Sequence, residues 1–170
     1  MRMQPTLKVG LVLGAIVEVW TFIVLVLGWH KDPMMLMMFY LVILFQAGVL
    51  WWGLKMTAAQ GKTYGGQVIA GTVMSAYGAV IVFVGSYILT SMVFPSYFME
   101  VEEAGRSMMT AQGMSAEQIE TQLAAMRPMQ NSLMNSISGA AATVITGLVL
   151  SLIFGAFLKA KPASPPAQNA

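Results

Sequence analysis

The sequence predicts an all-α integral membrane protein: a four-helix transmembrane bundle with a short amphipathic helical segment outside the membrane between helices three and four. Three observations predict it. Hydrophobic residues make up 57% of the 170 and charged residues only 9%, against about 25% charged in ordinary soluble domains. Apolar runs near residues 9–29, 34–54, 68–94 and 137–158 each approach or exceed the roughly 20 residues needed to cross a bilayer core. Small residues inside those runs recur at helical spacing, the pattern that lets membrane helices approach closely. With a mean hydropathy of +0.70, residues 1–161 read as a single transmembrane domain rather than a soluble core.

The first run follows Arg2 and Lys8 and reaches Trp29, a ring suited to the membrane–water boundary. It is too long for a signal peptide, and no small-x-small cleavage site follows, so an uncleaved first helix is expected. His30-Lys31-Asp32-Pro33 reads as a tight turn, with Asp32 capping the second helix and Pro33 at its first position. That helix is expected to span Met34 to Leu54, antiparallel to the first. A polar connection, Lys55 to Gly66, leads to the third.

The third span, Val68–Phe94, lies within a stretch from Lys62 to Glu100 that has no charge between its ends. Gly71, Gly78 and Gly85 recur every seven residues, with Ser75 between the first two, and predict one small-residue stripe. Pro95 should stop this helix. Residues 96–135 form the segment outside the membrane. Gly113 reads as a helix stop, and Ser115-Ala-Glu-Gln118 as a capping box, with Met114 and Ile119 as its hydrophobic staple. Phe98, Val101, Gly105, Met108 and Met109, then Ile119, Leu123 and Met126, predict two amphipathic helices lying over the bundle or on the lipid surface. The fourth span carries Gly139, Thr143, Gly147, Ser151 and Gly155 at every fourth position. Residues 162–170, rich in Pro and Ala, are expected to be a disordered tail.

Charge sets the expected orientation. Arg2, Lys8, Lys55, Lys62, Lys159 and Lys161 fall on one side, and Lys31, Arg106 and Arg127 on the other. Positive residues stay in the cytoplasm, so both termini should face inward and the 96–135 segment outward. The net charge of +2 and the absence of a basic stripe give nucleic-acid binding little support. Without cysteine there is no disulfide, thiol catalysis or Cys-ligated metal.

Gly53-Leu-Lys55, Gly61-x-x-Tyr64-Gly65-x-Gln67-x-x-x-Gly71, Pro95-x-x-Phe98-x-Glu100, Gly113-Met-Ser-x-Glu-Gln-Ile-Glu120 and Ser151-Leu-Ile-Phe-Gly-Ala-Phe-Leu-Lys159 occur in an order and spacing that resemble the bacterial DUF4199 family. The resemblance runs over nearly the whole chain. It implies a small four-helix inner-membrane protein and transfers no catalytic residue, because that family has no established activity.

Among single residues Glu18 stands out. A charge near mid-span costs about 2.5–3.5 kcal/mol even on lenient insertion scales. Gly10, Gly14 and Glu18 are spaced by four, which turns the carboxyl into the bundle. With no Lys or Arg to pair with it, the neutral acid is expected. Counting rise from the helix ends places Glu18, Gln46, Ser75 or Tyr77, and Thr146 at one depth, as a shared polar layer. That layer is either a proton- or cation-coupled site or a structural hydrogen-bond node. Most of the methionines lie toward the outer side, and Met34, Met35 and Met38 near His30 form a soft set that could take Cu(I), or simply adaptable packing. Glu100, Glu102 and Glu103 suit a solvated helix start. The Gly61–Gly66 loop lacks a phosphate-loop pattern. No catalytic arrangement is visible and no cofactor is expected. The leading expectation is a non-enzymatic accessory or assembly component. It would act by packing in the lipid bilayer, with other membrane proteins or with a second copy through the Gly139–Gly155 seam. A small transporter or channel subunit built on Glu18 is the alternative, and copper binding a third.

Overall fold

A computed structural model describes residues 4–158. The expected disordered tail, Arg2, Lys159 and Lys161 lie outside the described residues. Six α-helices are present, and no strand occurs among the described residues: α1 (Pro5–Val26), α2 (Leu41–Ala58), α3 (Tyr64–Ile88), α4 (Tyr97–Ala111), α5 (Ala116–Met126) and α6 (Ser132–Leu158). Four helical segments are long and apolar enough to cross a membrane: Pro5–Val26, Met37–Ala58, Tyr64–Val93 and Ser132–Leu158. Their outward faces carry exposed Leu44, Ile69, Val80 and Ile145, which water would not tolerate as a continuous surface.

The boundaries differ from the expected ones for local reasons. Pro5 opens α1, where its missing N–H costs nothing. Gly28, at φ +69°, turns the chain out of the helix before Trp29. The expected tight turn is a 3-10 turn, Trp29–Lys31. Asp32 does not cap the second α-helix: its carboxylate accepts from the backbone N–H of Met34 at 2.8 Å in a local turn. A 3-10 helix, Met35–Tyr40, follows with Met34 at its N-cap, and α-helical winding starts at Leu41. The Phe39 carbonyl there accepts from the Trp20 indole at 3.3 Å. Thr63 caps α3 by accepting from Gly66 N–H, so α3 starts one turn before Val68. Before Pro95, α3 widens into a π-helix, Leu89–Val93. Asn131 accepts from Met134 N–H at 3.0 Å, the capping geometry that starts α6 at Ser132.

α3 is the central helix, flanked by α6 along one side and α1 along the other, with α2 closing the group. Gly10 faces Met74 and Gly78, Gly14 faces Gly78 and Ile81, and Glu18 faces Gly85. The numbers rise together, so α1 and α3 run parallel. Gly155 faces Gln67, Gly147 faces Ser75 and Gly139 faces Val82, so α6 runs antiparallel to α3. Val9, Leu13, Leu50, Leu54 and Met74 form the fully buried core. One end of the bundle carries α4 and α5; the other carries the α2–α3 turn.

The expected single stripe on α3 divides. Gly78 and Gly85 face α1, while Gly71 and Ser75 face α6. A methyl group at Gly10 would lie 2.6 Å from the Met74 carbonyl oxygen, and one at Gly14 2.7 Å from that of Gly78. On the other side, a methyl at Gly71 would overlap Ser151 Oγ, and one at Gly147 would overlap Ser75 Oγ. Ser151 and Thr143 turn their hydroxyls back to the carbonyls of Gly147 and Gly139, leaving a slim, hydrogen-bonded face. The α6 seam is therefore filled by α3 of the same chain.

Candidate functional site

The residues of the single layer expected fall instead in two separate polar nodes between the spans. In the first, Gln46 on α2 donates through Nε2 to the Thr143 carbonyl of α6 at 2.7 Å. Ser75 lies beside it against Gly147, and its hydroxyl is buried without a partner. Tyr77 points outward and is exposed, and Thr146 is half-buried, one turn from the carbonyl that Gln46 uses. In the second node, Ser86 Oγ donates to Glu18 Oε1 at 3.0 Å. Ser75 and Ser86 are eleven residues apart on α3, about 16 Å at 1.5 Å per residue. Glu18 therefore does not meet Gln46.

Counting from helix ends failed because those ends are not level. Gly10 is near the start of α1, yet it rests on Met74 and Gly78, well inside α3. Sequence reasoning missed Ser86. Its signal was the Gly85-Ser86 pair, a vacant position beside a hydroxyl, three turns beyond Ser75. A third polar contact, also missed, lies near the α2–α3 turn. There Thr57 Oγ1 donates to Gln67 Oε1 at 2.5 Å, and Gln67 Nε2 donates to the Leu158 carbonyl at 3.2 Å. Buried Gln67 thus ties α3 to the last described turn of α6.

At the opposite end, the parallel course of α1 and α3 brings His30 and Glu100 together across 70 residues. His30 is buried, with Nε2 2.6 Å from Glu100 Oε2 and its ring 5.5 Å from that of Tyr97. Ser96 Oγ donates to Glu100 Oε1 at 2.9 Å, and Lys31 Nζ lies 3.1 Å away. The bond from His30, then that from Ser96, with Lys31 adding to both, holds the Glu100 carboxyl down at about 2. Burial pushes the Tyr97 phenol up. His30 is thus engaged by Glu100. Met34, Met35 and Met38 are exposed beyond it. Among the described residues no group of three or more His, Cys, Asp or Glu converges in a way that could hold a metal ion.

Glu102 of α4 is paired, whereas Glu103 is largely exposed. Arg127 donates to both oxygens of Glu102, at 2.8 and 3.2 Å. Arg106 donates to Glu120 at 2.6 Å and lies 3.6 Å from Glu102. The bond from Arg127 lowers the Glu102 carboxyl below its usual range, and Glu102 in turn raises the Arg127 guanidinium. Between these residues is a cleft of about 340 Å³ lined by Phe98, Met99, Glu103 and Gln130 among others.

The capping box of Ser115 and Gln118 is present as expected, and Gly113 at φ +80° stops α4. Met109, Met114, Ile119 and Leu123 pack on one another. The apolar faces of α4 and α5 thus meet each other, while the start of α4 rests on the Trp29–Lys31 turn of the bundle through Tyr97 and Glu100, and Met108 and Met126 remain exposed.

A family model described as protein of unknown function (DUF4199) matches residues 8–160. Comparison with curated proteins and with solved structures gives no match.

Proposed function

Because the chain belongs to the DUF4199 family and its fold is a bundle of four membrane-crossing helices, we propose that it is a non-enzymatic accessory or assembly component of a bacterial inner membrane. In this reading both termini are cytoplasmic and the α4–α5 hairpin is outside. The observation that supports it is the clamping of α3. Close contacts at Gly10, Gly14 and Gly78 on one side, and at Gly71 and Gly147 on the other, make the bundle a tightly packed mount for the hairpin that His30 and Glu100 join to it. With the α6 seam filled from within, contact with other membrane proteins falls to the hairpin and the lipid-facing surfaces. Photo-crosslinking in native membranes from Gln112 and Gln122 tests this. Reproducible adducts with one membrane protein are expected, and their survival in Glu18→Gln is part of the expectation. Absence of any protein adduct from both positions would overturn it.

A second reading, a small transporter or channel subunit, is favoured by one observation: Glu18 Oε2 is buried without a hydrogen-bond partner. A carrier should lose flux in Glu18→Gln, whereas an assembly component should keep its complexes.

A further inference from the structure

Glu18 has surroundings that helix packing does not account for. Ser86 serves Oε1, but Oε2 is sealed from the surface with no partner. Leaving a buried polar atom unpaired is costly, and more so if it is charged. Gly85 makes the room: a methyl there would lie 2.5 Å from both Cδ and Oε2 of Glu18. One turn beyond Ser86 the helix changes to the π-helical Leu89–Val93, a distortion found often at functional sites. Thr90 Oγ1 donates to the Ser86 carbonyl at 2.8 Å, which ties the serving residue to the distorted turn.

Among the described residues no counter-charge faces the carboxyl. α3 contains no Asp, Glu, Lys or Arg, and neither does α6. Lys8 lies in the first turn of α1 and Lys55 in the last turn of α2. The phenols of α3, Tyr64, Tyr77 and Tyr87, are exposed. A bare anion would thus stand without compensation in a span where charge is expensive. A hard metal cation wants about six to eight oxygen ligands, and here there are two carboxylate oxygens and one hydroxyl. A proton needs one oxygen.

We infer that Glu18 is a reversible proton-binding site within the membrane span, taking a proton rather than a metal cation. Ser86 is its positioning residue, engaging Oε1 so that Oε2 is the atom that gains and loses the proton. The inference deepens the carrier reading and rests on the chain being inserted in a membrane, which flotation with lipid vesicles reports separately.

The test is infrared absorption of the protonated carboxyl C=O, measured on the full chain in phosphatidylcholine vesicles. The expected result is a band absent in Glu18→Gln that fades as pH rises, returns as it falls, and is unmoved by added sodium or calcium. Ser86→Ala should shift its midpoint by about one pH unit, the equivalent of one charge-assisted hydrogen bond. Thr72→Ala, whose hydroxyl bonds Val68 instead, should leave it in place. A band constant from acid to alkaline pH would make Glu18 a fixed structural acid and overturn the inference. So would a band that sodium or calcium removes at constant pH, or the absence of any Glu18-dependent band. If Glu18→Gln does not fold by circular dichroism, the Ser86→Ala shift decides: a midpoint that does not move overturns the assignment.

Discussion

At the residue scale, the clearest link between the bundle and its hairpin is His30 with Glu100. The folded carboxyl sits at about 2, below its ordinary 4.5. Its contribution to stability is therefore complete above the ordinary value and is lost as pH falls from about 4.5 to about 2. Glu100→Gln should lower the thermal midpoint at neutral pH and flatten the acid-side loss across that window. Unfolding in detergent at stepped pH measures both, and an unchanged acid profile would contradict the pairing. Arg127 makes the contrasting case. It is exposed, and its partner Glu102 also lies within reach of Arg106, so losing one solvent-screened partner costs little and Arg127→Ala should shift the same midpoint little. His30 and Glu100 were each visible in the sequence as single letters. Their pairing was not, because it depends on α1 and α3 running parallel and ending together.

At the element scale, the glycines of α6 separate into those in close contact and those in open space. A methyl at Gly147 meets Ser75 directly, whereas one at Gly139 meets Val82 Cγ1 at 3.5 Å, an ordinary contact. Gly147→Ala should destabilise the α3–α6 pair by about 1–3 kcal/mol, as overpacked cores do. Gly139→Ala should be neutral or stabilising by up to about 1 kcal/mol through helix propensity. Thermal unfolding of the two variants side by side checks the difference; equal effects would mean that the two glycines do not differ in packing. In the hairpin, Leu123 is fully buried among Met109, Met114 and Ile119. Leu123→Ala should cost about 2–5 kcal/mol locally, seen as faster amide exchange in α4 and α5 with the spans unchanged. Features set by neighbours in sequence were legible: the Ser115–Gln118 box, the Gly113 stop, the small-residue rows. What was not legible was the level at which one helix meets the next, which depends on where each starts. Pro5, Thr63 and Asn131 moved those starts by up to a turn or more, and the single polar layer became two nodes.

At the scale of the whole molecule, up-down-up-down crossing puts the α2–α3 turn and the hairpin at opposite ends. The chain contains no cysteine, so single introduced thiols report without background. Gln60→Cys and Gln112→Cys should react with an impermeant maleimide from opposite sides of sealed vesicles. Labelling of both from one side would remove the four-crossing arrangement. The number of crossings was readable from apolar run lengths alone, whereas the central place of α3 was not, since four runs of similar hydropathy give no clue to which lies in the middle. That placement governs biogenesis. Glu18 lies on the first of the four spans, but the hydroxyl that donates to it lies on the third. While α2 is still being threaded, the nascent polypeptide holds an acid with nothing to bind, and a ribosome stalled before Ser86 emerges would capture that unfinished intermediate.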